Sequence, residues 1–181
     1  AYHLTIEENT RFGRMMAKGE FCEIDECSSV SHFSWVHNAL VAGGFEHYEV
    51  SNYALKGYRS KHNSSYWQGV EYLGIGPGAH SFNGGVRRWC DQPIEEYIGG
   101  VEYGSEELSQ TNKLNEYVMT SLRCAEGLSL AKVERDFGAK ERARLEREAS
   151  ADGLRSLLIN DNGYLRIAPE NMLMSDFVIE A

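Results

Sequence analysis

The spacing of apolar positions along this chain changes several times. In Tyr2-His3-Leu4-Thr5-Ile6-Glu7 polar and apolar residues alternate, with aromatic and β-branched side chains, which predicts a strand. After a loop containing Gly13 and Gly19 the period lengthens. Val30, Phe33, Val36 and Leu40 recur at helical spacing behind Asp25 and Ser28, either of which can cap a helix, and Gly43-Gly44 ends the run. Phe45 to Ser51 returns to strand character, so the opening predicts a strand, helix, strand unit of the kind found in parallel α/β sheets.

From Asn52 to Gly104 the pattern dissolves into a stretch rich in Gly and Tyr with little periodicity. Long irregular segments in compact proteins are more often functional than accidental, so this is where a site is sought. Helical spacing resumes after Ser109, with Leu114, Tyr117, Val118 and Leu122 on one face and Gly127 as the stop. Ser129 caps a shorter run of Leu130, Val133 and Phe137 that Gly138 ends, and a third, charged helix is predicted from about Lys140 to Asp152. Ser156 to Ile159 and Tyr164 to Ile167 then flank Asn160-Asp161-Asn162-Gly163, a hairpin turn because Asn and Gly tolerate positive φ. With a last helix after Pro169 carrying Leu173 and Phe177, the tail predicts a winged-helix-like module. No internal repeat or low-complexity tract interrupts it.

Charge narrows the partners. Against 18 basic residues stand 27 acidic ones, a net charge of -9 that repels phosphate backbones and anionic lipid. In the third tail helix Lys140, Arg142, Arg144 and Arg147 are balanced by Glu141, Glu146, Glu148 and Asp152, so nucleic-acid binding is the minor reading of a winged helix here. Apolar runs such as Ala39 to Ala42 or Leu157 to Ile159 fall far short of the roughly 20 residues that span a bilayer. No basic start followed by an apolar stretch and cleavage site is present, and a cytoplasmic setting is expected. Cys22, Cys27, Cys90 and Cys124 form neither a redox pair nor half of a zinc knuckle by spacing, and unpaired thiols are the plain reading. Because a strand is predicted from the first residues, the chain reads as the C-terminal portion of a longer protein.

Two neighbouring motifs carry the candidate chemistry. Lys61-His62-Asn63-Ser64-Ser65-Tyr66-Trp67 sets an imidazole beside two aromatic rings. A neutral imidazole ligates iron, Tyr66 and Trp67 can pack against a porphyrin plane, and Asn63 can orient the ring or bind a propionate. The competing reading is a hydrogen-bonded histidine with two core aromatics. Gly74-Ile75-Gly76-Pro77-Gly78-Ala79 lets backbone approach a ligand closely, or forms a tight turn. It lacks the Lys-Ser/Thr ending of a P-loop, and Pro77 breaks the dinucleotide fingerprint. No nucleophile elbow, paired histidines or calcium loop is found, so no catalytic residue is assigned. Glu7, Glu8, Glu46 and Glu49 are read as ordinary surface carboxylates, and His3, His32, His37, His47 and His80 as ordinary histidines.

Ala1 to Glu7, Tyr48-Glu49-Val50-Ser51-Asn52-Tyr53-Ala54, Ser60-Lys61-His62-Asn63, Tyr66-Trp67, Tyr72 to Ser81 and Leu122-Arg123-Cys124-Ala125-Glu126-Gly127-Leu128 together resemble the radical S-adenosylmethionine family of oxygen-independent coproporphyrinogen III oxidase-like proteins. The His-Asn-x-x-Tyr-Trp pattern at 62–67 is similar to the family's haem chaperone branch, the HemW-like proteins. The resemblance implies an α+β fold: the last strand and helix units of a partial (β/α) barrel with a connecting region in residues 1–104, then a winged-helix-like domain in 105–181. It implies haem contacts at His62, Asn63, Tyr66 and Trp67, with His62 on the iron, and a glycine loop at Gly74 to Ala79 near the cofactor end of the barrel. It also implies a [4Fe-4S] cluster and S-adenosylmethionine in the full-length protein, held by cysteines this chain does not contain, so that it performs no radical chemistry alone. Haem binding and delivery to acceptor proteins is the expected function. Oxidative decarboxylation of coproporphyrinogen III is the alternative.

Overall fold

The computed structural model describes residues 1–180 and is a mixed α/β structure. The predicted opening strand is corrected: the segment before Thr10 forms no strand. Alternation confers strand character only when a neighbouring backbone edge accepts the ladder, and no such edge is offered. The segment is instead anchored at single points, the Ala1 ammonium donating to the Ser51 carbonyl at 2.6 Å and His3 Nε2 meeting Ser29 Oγ at 2.6 Å.

Helix α1 (Arg11–Ala17) starts where Thr10 Oγ1 accepts from Gly13 N, and α2 (Glu26–Ala42) where the Asp25 carboxylate accepts from Ser28 N. Strands β1 (Phe45–Glu49) and β2 (Asn52–Leu55) pair antiparallel as a hairpin, which corrects the parallel unit predicted for the opening. With the first strand unpaired, β1 takes its nearest neighbour in sequence. The register slips by one residue between His47 and Glu49. That bulge carries the main consequence of the hairpin, because two consecutive side chains, Tyr48 and Glu49, both turn inward to 4% and 1% exposure.

Helix α3 (Lys61–Trp67) follows, then β3 (His80–Phe82), β4 (Val86–Trp89), α4 (Ile94–Gly99) and β5 (Gly104–Glu107). Strands β3, β4 and β5 form an antiparallel sheet in that order. The remainder runs α5 (Gln110–Leu122), β6 (Leu128–Ser129), α6 (Leu130–Phe137), α7 (Ala139–Ala149), β7 (Leu158–Asp161), β8 (Tyr164–Ile167), a 3-10 helix (Pro169–Met174) and α8 (Ser175–Glu180). Ser109 and Ser129 cap α5 and α6, and Asn162 and Gly163 turn the β7–β8 hairpin at φ values of 51° and 81°. Its sheet has the order β6-β8-β7.

The hydrophobic core lies in this last part, where Leu114, Leu122, Leu128, Leu130, Val133, Leu145, Leu165, Ile167, Met172 and Val178 pack together. The turn after α5 ties it to the rest. Val50 N donates to the Arg123 carbonyl at 3.0 Å and Ala125 N to the Tyr48 carbonyl at 3.1 Å, so residues 123–125 lie along the bulge of β1.

Candidate functional site

Helix α3 is held from both ends of a short circuit: Ser60 Oγ accepts from Asn63 N at 3.2 Å, and Ser60 N donates to the buried Tyr48 hydroxyl at 3.2 Å. Four-residue spacing sets His62 and Tyr66 on one face, ring edge to ring face at 5.0 Å and 89°. The aromatic contacts continue from Tyr66 to Tyr72 at 4.9 Å and from Tyr72 to Phe82 at 6.1 Å. Asn63 and Trp67, again four apart, meet the hairpin and α5. Asn63 Nδ2 lies 3.4 Å from Asn52 Oδ1, and the Arg123 guanidinium sits over the Trp67 ring at 5.7 Å. Asn63, Tyr66 and Trp67 thus line one cleft of about 750 Å³, together with Glu49, Asn52, Arg123 and Asp176. His62 is exposed at the side of α3 and does not line that cleft.

Two residues that organise the cleft were not singled out by sequence. Glu49, read as a surface carboxylate, is almost fully buried. Its Oε2 accepts from Ser51 N at 3.0 Å and from Asn52 Nδ2, and its Oε1 stands 3.5 Å from Arg123 Nε. Arg123 also reaches the Asp176 carboxylate at 3.1 Å. A relay of side chains therefore runs from α8 through Arg123, Glu49 and Asn52 to Asn63, next to His62. The signal for Glu49 was the bulge, and a bulge depends on the partner strand, which local pattern does not reveal. Trp67 Nε1 is buried without an acceptor, and Arg123 Nε has no well-aligned one. Beside this relay, burial first and then the Glu126 and Glu49 charges push the Cys124 thiol up to about 12, so it stays protonated at neutral pH.

The glycine loop is placed elsewhere. Gly74 N donates to Ser81 Oγ at 2.9 Å, and a Cβ on Gly74 would stand 2.0 Å from the His80 carbonyl oxygen. Gly78 N donates to the Cys90 carbonyl at 2.6 Å and sits at φ 71°. Close approach of the chain to β3 accounts for Gly74, and positive φ at Gly76 and Gly78 for the rest of a tight turn. Ile75 is 83% exposed, and the loop shares neither Asn63, Tyr66 nor Trp67 as a cleft neighbour.

Among the other histidines, His47 Nε2–H donates to the Val50 carbonyl at 3.0 Å, which leaves its Nδ1 to accept from His37 Nδ1–H at 3.0 Å. Tyr53 stacks on His47 at 4.1 Å, and burial, the leading cause, lowers the His47 pKa below its ordinary value. This pair fastens α2 to the hairpin. Residues suited to an iron–sulfur cluster are not grouped. Cys22 and Cys27 are exposed before and at the start of α2, Cys90 is buried after β4, and Cys124 is at the joint. Among the described residues no three His, Cys, Asp or Glu side chains are placed to hold one metal ion. The residues present do not fit the cluster. Among the described residues no helix is long and apolar enough to cross a membrane.

Comparison with known proteins places these features in context. The model of the HemN C-terminal domain matches residues 108–174. The protein described as haem chaperone HemW from Lactococcus lactis is 27% identical over 183 residues, covering 99% of this chain and 48% of that protein. HemW from Mycobacterium tuberculosis is 35% identical over 161 residues, covering 85% of this chain and 40% of its own length. The chain therefore spans about half the length of such relatives, or less. Among solved structures, coproporphyrinogen III oxidase (HemN) from Escherichia coli, described as a radical SAM enzyme, superposes with a TM-score of 0.65 at 12% identity, over 91% of this chain and 44% of that one. That likeness concerns the fold.

Proposed function

We propose that this chain, which belongs to the radical S-adenosylmethionine family of HemW-like proteins and corresponds to their C-terminal portion, binds haem and serves in its delivery to acceptor proteins. The observation that carries the reading is the His62 imidazole, exposed on α3 and edge-on to Tyr66, while Asn63 and Trp67 on the adjoining face are fixed by the Glu49–Arg123 relay. A ligand on a rigid mount at an open surface suits cargo that must leave again, because an acceptor protein can reach it without the fold opening. In the full-length protein the cluster and S-adenosylmethionine would be held by the other half, in the cytoplasm. Decarboxylation of coproporphyrinogen III remains the enzymatic alternative for the whole protein, and product formation discriminates it.

The finer architecture follows the same reading: the end of a partial barrel with its connecting region, then a winged-helix-like unit. The order α5, β6, α6, α7, β7, β8 with a β6-β8-β7 sheet supports the winged helix. A division after Glu107 instead of Gly104 keeps β5 with its partner β4. Two of the three arginines of α7 are already neutralised, Arg142 by Glu134 and Glu146, Arg144 by Glu141 and Glu148, which argues against a groove-reading helix.

Titration of haemin into the chain tests the proposal. A saturable one-to-one Soret shift is expected, with an affinity loss of roughly tenfold or more in His62→Ala at unchanged circular dichroism. Equal binding by both proteins would remove His62 as the iron ligand.

A further inference from the structure

A second cleft, of about 660 Å³, shares Tyr66 and Trp67 with the first and extends toward β3, β4, α5 and α6. The two differ in charge. The first sets Arg123 against Glu49 and Asp176, leaving one net negative charge. The second sets Arg87, Lys113 and Lys132 against Glu116 and Asp136, leaving one net positive charge in a chain whose total is -9. Two of its cations are spoken for: Arg87 pairs with Glu116 at 2.8 Å, and Lys132 pairs with Asp136. Lys113, partly buried, makes no ion pair among the described residues.

The wall beside these cations is aromatic. Starting from His62, the rings of Tyr66, Tyr72 and Phe82 follow one another edge to face or tilted, and Arg87 lies 5.9 Å from the centre of the last ring. A flat ring with acidic substituents matches both features, since its π-face meets the aromatic wall and its carboxylates meet an uncommitted ammonium. The first cleft would repel such carboxylates through Glu49, which is buried and fixed in place by Ser51 N and Asn52.

We infer that the second cleft holds the carboxylate edge of a flat aromatic ligand, with Lys113 as its ion-pair partner and Tyr66, Tyr72 and Phe82 as the wall facing its ring. The inference rests on the haem reading and places the propionates in the second cleft, on Lys113, instead of on Asn63, which lines the first. It separates recognition of the acidic edge, by Lys113, from capture of the metal, by His62.

The test titrates metal-free protoporphyrin IX, its dimethyl ester and haemin into the 181-residue chain. The variants are Lys113→Glu, His62→Ala and Lys18→Glu, the last making the same charge change on the C-cap of α1. Lys113→Glu is expected to weaken the metal-free diacid roughly tenfold, to leave the ester within about twofold, and to exceed the effect of Lys18→Glu. Diacid binding within about twofold of the parent chain, or an equal loss for the ester, would overturn the inference. His62→Ala reads the iron separately. If it leaves the haemin Soret shift intact while Lys113→Glu still discriminates diacid from ester, the iron assignment fails and the carboxylate assignment stands.

Discussion

The parts of the chain before and after Ser109 are built differently. After it, helices and a small sheet close on a shared core in which Val133 and Ile167 are 0% and 1% exposed. Before it, no comparable cluster forms: the well-buried side chains are few, among them Tyr48, Glu49, Ala54 and Cys90, while Trp35, Leu73 and Ile75 stand more than 70% exposed. The candidate ligand lies on the loosely packed side. Its rigidity is borrowed from the other, through the turn after α5 that lies along the β1 bulge and through Arg123, which reaches Glu49, Trp67 and Asp176. A well-packed region thus serves as the mount, and an open one presents the chemistry.

The largest effect that tests this contrast is in the core. Ile167→Ala is expected to cost about 4 kcal/mol in urea unfolding, whereas Ile75→Ser on the exposed loop stays within about 0.5 kcal/mol. Similar costs at both positions would erase the distinction.

Breaking the joint comes next. Glu49→Ala leaves Arg123 paired with Asp176 alone and removes the acceptor of Ser51 N and Asn52 Nδ2, and a loss of about 3 kcal/mol is expected, together with weaker haemin binding by molecules that remain folded. If stability falls but the haemin affinity of the folded fraction does not, the relay supports the fold without positioning α3.

The smallest effect is a pH dependence confined to the first region. Burial lowers the folded-state pKa of His47 below its ordinary value of 6.5, so the unfolded chain binds the proton more readily. Stability from this group is present above about pH 6.5 and is lost as pH falls through the unfolded value toward the folded one. Protonation would also turn two N–H groups toward each other across the 3.0 Å His37–His47 contact. Hydrogen-exchange protection factors in α2 and β1 should fall below about pH 6 while those in α6 and β8 hold, and His47→Phe should abolish the difference.

Much of the second region was legible because its signals are local. Ser109 and Ser129 cap the helices they precede, Gly138 separates α6 from α7, and Asn162-Gly163 turns the hairpin. The first region was harder to read. Its strands β2, β3, β4 and β5 have only three or four residues each, too short for alternation to stand out against a background of Gly and Tyr. Ser60 caps α3, but with only seven residues that helix is too short for apolar periodicity to mark where it begins.

By itself, then, the sequence determined the caps, the helical faces, the tail hairpin and the motif that puts His62 four residues before Tyr66, all of them properties of neighbouring residues. Only the tertiary structure decided that Ala1 to Ile6 has no strand partner, that β1 folds back on β2 with a bulge, and that Glu49 and Arg123 meet at the joint. Those outcomes depend on which backbone edge and which charge arrive from far along the chain. A one-residue shift of register turns a surface carboxylate into a buried one, and no local pattern encodes that shift.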